Sequence, residues 1–168
     1  MSSSIATQPR FSPGSDPASI ESTLAPLLTS HGGRWTLARD GEALEREFRF
    51  KTFARTWDFM TAVALQCKLK NHHPEWSNTF NTTFIRWTTH HPRGLSAKDV
   101  ELAAVCDQLA RDFGEVEPDQ QPQQPQQQQQ PSQESQQQQG ETTMCALADR
   151  AAGSAGDCCV PKKGAEKK

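Results

Sequence analysis

From Pro118 to Gly140 the chain is almost entirely glutamine and proline. A run of that kind has no apolar side chains to bury, so nothing offsets the entropy lost on ordering it. The stretch beyond it, Glu141 to Lys168, is small, polar and charged. Residues 118–168 are therefore expected to form a disordered tail. Met1 to Ser15 is rich in Ser, Pro and Gly, and residues 1–15 read as a mobile, disordered leader. What remains to fold is residues 16–117, about 100 residues, a common size for one compact domain. The mean hydropathy of −0.76 agrees with a chain of which part does not fold.

Inside that window the hydrophobic period changes from element to element. Asp16 can cap a helix with Pro17 in its first turn, and Ile20, Leu24, Leu27 and Leu28 share a face. Pro26 should kink that helix or end it early. Trp35 to Leu37 and Leu44 to Phe50 read as strands around the turn Arg39-Asp40-Gly41. In the second, Phe48 and Phe50 alternate with Glu47 and Arg49, the pattern of a half-buried strand. Thr52 can cap a long helix from Phe53 to Lys68, where Phe53, Trp57, Met60, Ala64 and Cys67 follow helical spacing. Trp76 to Asn81 and Thr82 to Thr89 are β-rich, with Asn81 at a bend or inside one long strand. Ser96 and Asp99 have the spacing of a capping box, and Leu102, Val105, Cys106, Leu109 and Phe113 continue as a helical stripe. The predicted order is αββαββα, an α+β domain with three helices on one face of a four-stranded antiparallel sheet.

Composition excludes several classes of function. The net charge is −2 and lysines cluster only from Lys162 to Lys168, so no basic footprint for direct nucleic-acid binding exists. No apolar run approaches the roughly 18 residues that span a bilayer, and no secretory signal is visible, so a cytoplasmic protein, with nuclear entry open, is expected. The five cysteines are odd in number, and Cys67 and Cys106 fall in helical segments, which argues for reduced thiols. Cys145, Cys158 and Cys159 form no paired knuckle and have no histidine near them. Phosphate loops and serine nucleophile elbows are missing.

Four of the five histidines come as two pairs, His72-His73-Pro74 and His90-His91-Pro92. Each lies at a junction, one after the central helix and one after the last strand, where a rigid scaffold can hold an accessible side chain. Proline biases His73 and His91 toward extended backbone, in which consecutive side chains diverge. Surface histidines, a metal site and cofactor-free acid/base catalysis are the three readings. Imidazole, with a pKa of about 6.5, exchanges protons near neutrality. Metal binding lacks an HExxH motif and an evident carboxylate ligand. His31 stands alone in a turn-like stretch.

At these residues the sequence resembles the pterin-4a-carbinolamine dehydratase family. Asn71-His72-His73-Pro74-Glu75-Trp76 matches its signature, and Asn78, Asn81 and Ile85 follow at its spacing. Thr89-His90 matches its second histidine site, and Gly94-Leu95-Ser96 with Asp99 matches the start of its last helix. The resemblance covers Leu24 to Phe113. It implies loss of water from 4a-hydroxytetrahydropterin to give quinonoid dihydropterin, with no metal or organic cofactor. It further implies a catalytic cluster of His72, His73 and His90. Pro74 and Thr89 would shape the pocket, His91 and Pro92 would form its rim, and Asp99 would orient a histidine. The implied partners are a small pterin substrate and a second copy of the chain, as homodimer or homotetramer, without membrane or direct nucleic-acid contact. Animal relatives also serve as dimerisation cofactors for a homeodomain transcription factor, so a non-catalytic coactivator on the same fold is the rival. Two positions depart from the family: Lys68 stands where many relatives carry glutamate, and Asn71 where an aspartate is frequent. Both changes lower the negative charge near the histidines and should lower their pKa values.

Overall fold

The computed structural model describes residues 7–116, 146 and 148–150. Four antiparallel strands form one sheet in the order β1-β2-β4-β3. They are β1, Thr36–Ala38, β2, Ala43–Arg49, β3, Glu75–Thr79, and β4, Thr82–Trp87. The three α-helices are α1, Pro17–Leu24, α2, Phe53–Lys70, and α3, Ala97–Asp112. This is the αββαββα arrangement that the sequence predicts.

Register explains which side chains enter the core. Leu44 pairs with Trp87, Arg46 with Ile85 and Phe48 with Thr83, so these six share one sheet face. Strand side chains alternate, and Glu45, Glu47 and Arg86 therefore project from the opposite face. The helix-covered face carries Leu44, Phe48, Ile85 and Trp87, all fully buried. Phe59 of α2 sets its ring 4.9 Å from that of Phe48 and 5.0 Å from that of Phe50. Burying each such ring stabilises the fold by about 1.5–3 kcal/mol. Arg46 brings a cation to this face of β2, and its charge is met by Asp107 of α3 and by Glu115 at 2.6 Å.

Local signals act as expected at most junctions. Pro26 ends α1, and the chain continues as a short 3₁₀ turn, Ala25–Leu27. The Thr52 hydroxyl accepts the Arg55 N–H and so caps α2. β3 and β4 are two strands and not one, because Phe80 and Asn81 make a tight hairpin with Phe80 at φ 50°.

The buried stripe of α2 differs from the expected one. Thr56, Phe59 and Val63 are buried, whereas Phe53 and Trp57 stand 48% and 55% exposed with their rings stacked. Leu65 and Leu69 are exposed as well. The helix carries two apolar stripes, and the sheet, presenting Phe48 and Phe50, meets the one centred on Phe59.

The chain ends also differ in part from expectation. Of the expected leader, residues 7–15 are described, and they run along the domain. The Arg10 N–H donates to Gly41 O, the Leu95 N–H to Arg10 O and the Ser12 N–H to Leu95 O, each at 2.9 Å. This is possible because Gly41 and Gly94 lack side chains: a Cβ at either would strike the backbone of Gln8 or Ser12. Of the expected tail, residues 146 and 148–150 are described as helical, with Ala148 buried. Cys145, Cys158 and Cys159 lie outside the described residues.

Candidate active site

The end of α2 builds the first arm of the site. Asn71 adopts the left-handed conformation, φ 48°, that closes a helix, and asparagine tolerates it better than most residues. The His72 N–H then returns to Cys67 O at 3.1 Å. The His72 ring stacks on the buried indole of Trp87, centroids 5.8 Å apart. Its Nε2 lies 2.6 Å from Oδ1 of Asp99, a fully buried carboxylate, so Nε2–H is the donor.

Asp99 has two duties at once. Its Oδ2 accepts the Ser96 N–H at 2.8 Å, completing the capping box of α3, and also accepts the hydroxyls of Ser96 and Thr89 at 2.8 and 2.7 Å. Capping and histidine contact are therefore joint functions of one side chain. The carboxylate is buried without being stranded, since both of its oxygens have donors.

The second arm follows β4. His90 lies about a quarter exposed, with its ring 6.0 Å from that of His73. Its Nε2 is 3.7 Å from Oε1 of Glu75 at the start of β3. Burial pushes the His90 pKa below the ordinary imidazole value. Glu75 opposes that shift, while His73, Arg39 and His91 add to it. His90 is thus a neutral imidazole near pH 7.

Both arms open on one cleft of about 1070 Å³, lined by Asn71, His72, His73, Thr89, His90 and His91 among others. Both members of each histidine pair reach it, although extended backbone tends to turn consecutive side chains apart. Pro74 and Pro92 are not among the lining residues. Pro92 follows a cis bond, and its carbonyl accepts the Ser12 hydroxyl at 2.7 Å. Asp99 acts from behind the wall through His72 and Thr89. His31 lies in a 3₁₀ turn away from the cleft.

Sequence reasoning misses three contributions. Gly14, Ser15, Asp16 and Ser19 line the cleft from the N-terminal segment and Lys98 lines it from α3, beside Lys68 of α2, whose place near the histidines the sequence already suggests. Glu75 belongs to the matched signature, but nothing in its spacing places it beside a histidine of the other pair. Cys67 is also at the wall, and burial raises its thiol to about 11, which leaves it protonated and a poor nucleophile. Among the described residues no three His, Cys, Asp or Glu donors converge as a metal site would need.

A family model described as pterin 4 alpha carbinolamine dehydratase matches residues 15–109, more than half of the chain. The chain belongs to that family. A relative from Rhizobium meliloti, described provisionally as a pterin-4-alpha-carbinolamine dehydratase, is 46% identical over 76 residues, covering 45% of this chain and 73% of its own length. One from Rhizobium rhizogenes, under the same provisional description, is 37% identical over 95 residues, or 56% of this chain and 89% of its own. The crystal structure of a transcriptional coactivator/pterin dehydratase from Brucella melitensis is similar at a TM-score of 0.49 with 28% identity, covering 56% of this chain and 96% of that one. No helix among the described residues is long and apolar enough to cross a membrane. For a pterin-4-alpha-carbinolamine dehydratase family member, a cleft walled by histidines accords with a dehydratase type of reaction.

Proposed function

We propose that this cleft dehydrates a 4a-hydroxytetrahydropterin to the quinonoid dihydropterin. The observation that carries the reading is the meeting of His72, His73 and His90, from two separate junctions, on one cleft. The reaction breaks the C4a–O bond and the N5–H bond. The oxygen leaves as water after gaining a proton, the N5 proton passes to a base, and the N5–C4a double bond forms. No electrons enter or leave, so two proton-exchanging groups on either side of the ring suffice.

His72 suits the acid. Asp99 fixes its ring with Nε2–H as donor, leaving Nδ1 as the ring nitrogen available for proton exchange. His90, kept neutral by burial, suits the base that takes the N5 proton. His73 stacks near His90 and binds the ring. Thr89 and His91 complete the wall, and Pro74 and Pro92 shape the turns that carry the histidines. Holding a flat heterocycle in register with both groups supplies the remaining advantage.

The test is dehydration of freshly prepared 4a-hydroxytetrahydrobiopterin, followed against its spontaneous rate. A clear acceleration is expected, and a rate equal to the spontaneous one would remove the catalytic reading. One observation favours a binding role beside the enzyme: Phe53, Trp57, Leu65 and Leu69 leave α2 with exposed apolar side chains. We assign this face to association with a second copy of the chain, as homodimer or homotetramer. Sedimentation that finds only monomer at micromolar concentration counts against it. The coactivator alternative would use the same face.

A further inference from the structure

Proton transfer by His72 and His90 leaves without a role an ion-pair cluster on the sheet face opposite the core. Glu75 and Arg86 are cross-strand partners there, and both are nearly buried. The Glu75 carboxylate accepts Arg39 Nη1 at 2.9 Å and Arg86 Nη1 at 3.3 Å, with Arg39 Nη2 2.8 Å away. Glu45 accepts Arg86 Nε and Nη2 at 3.0 and 2.9 Å. Asp149, from beyond the glutamine-rich stretch, accepts both Arg86 Nη1 and Arg39 Nη2, while its neighbour Ala148 is buried. One oxygen of the same Glu75 faces His90 Nε2.

We infer that Glu75 is a positioning residue for His90, and that Asp149 completes the arginine pair holding Glu75, so that docking of this C-terminal segment is coupled to protonation of His90. The charge count gives the reason. Without Asp149, Glu45 and Glu75 just balance Arg39 and Arg86. With it, the cluster carries one surplus negative charge beside an imidazole. A nearby anion favours the charged form of histidine. The other groups facing His90 act the opposite way: Arg39, His73 and His91 all disfavour its protonation. Docked, Asp149 therefore raises the proton affinity of His90. By reciprocity, protonating His90 tightens the docking.

The functional consequence rests on the dehydratase reading, but the coupling is measured without turnover. The experiment is a histidine-ring NMR titration of the full chain without substrate, with His90→Gln used to assign the His90 signal and His31 as the reference. Glu75→Gln should lower the His90 midpoint by about one pH unit or more, the range for an opposite charge at this distance. Asp149→Asn should lower it by less, in the same direction, and leave His31 unmoved. An unmoved His90 midpoint in both variants overturns the inference. Should Glu75→Gln fail to fold, Asp149→Asn decides alone, since its side chain is half exposed and its loss leaves no stranded anion. The acid limb of the turnover profile should move with the NMR midpoint. A midpoint that moves while the limb stays supports the coupling and overturns only the assignment of His90 as base.

Discussion

The two arms of the cleft support their histidines in opposite ways. His72 leans on Asp99, a carboxylate with no exposure that sits 2.6 Å away and is held by three further donors from Ser96 and Thr89. His90 faces Glu75 at 3.7 Å, and Glu75 is shared with two arginines that also hold the half-exposed Asp149. The first arrangement is short, local and dry. The second is a chain of charges that reaches solvent. An anion at the end of a short buried contact fixes orientation, whereas one in a solvent-linked network tunes charge and responds to its surroundings. The arm proposed as acid is thus rigid, and the arm proposed as base is adjustable.

Removing the histidines should have the largest effect. His72→Ala or His90→Ala should each lower turnover by about 10²–10⁴, the usual contribution of a positioned acid or base. The double variant should lose less than the product of the two, because groups that act in one step are not additive. His31→Ala should change nothing. Turnover like the parent from folded His72 and His90 variants would end the catalytic assignment.

A smaller effect separates the supports. Asp99→Asn removes the charge behind His72 and leaves at least one of the surrounding donors poorly met. It should cost about 1–3 kcal/mol of stability in a thermal melt and about 10–100-fold in turnover, by analogy to the loss of a carboxylate behind a liganding histidine. The His90 titration should stay where it was. A His90 midpoint that moved with Asp99 would show that the two arms are not independent.

The smallest effect comes from salt. Raising ionic strength from about 0.1 to 1 M shortens the screening length from about 10 to 3 Å. Asp149, half exposed, should then count for less, and the His90 midpoint should drift down toward that of Asp149→Asn. The direction follows from the lost anion: below its midpoint the imidazolium is populated, and weakening the surplus negative charge confines it to lower pH. A His90 midpoint indifferent to salt would erase the contrast.

Much of the fold and part of the site are legible in the amino-acid order. The alternation around Phe48 and Phe50, the Ser96–Asp99 spacing and the paired histidines each encode one local outcome. All three rely on contacts within a few residues or on a simple period, which a sequence displays directly. The α2 stripe is ambiguous in sequence because the helix has two apolar faces, and only the position of the sheet decides which is inside. Residues 7–15 read as mobile because the groups that anchor them, Gly41 and Leu95, are remote along the chain.

By itself, then, the sequence determined the order of elements, the caps, and the presence of two histidine pairs at junctions, since these follow from backbone propensities and periodicity. Spacing and periodicity do not bring the two pairs together; the tertiary structure opens both on one cleft. It also decided that Asp99 stands behind His72, and that Glu75 is tied to Asp149 through Arg39 and Arg86. The physical reason is range. Capping and strand alternation act over a few residues, but a charge interacts with whatever the fold brings within several ångströms of it, however distant along the chain.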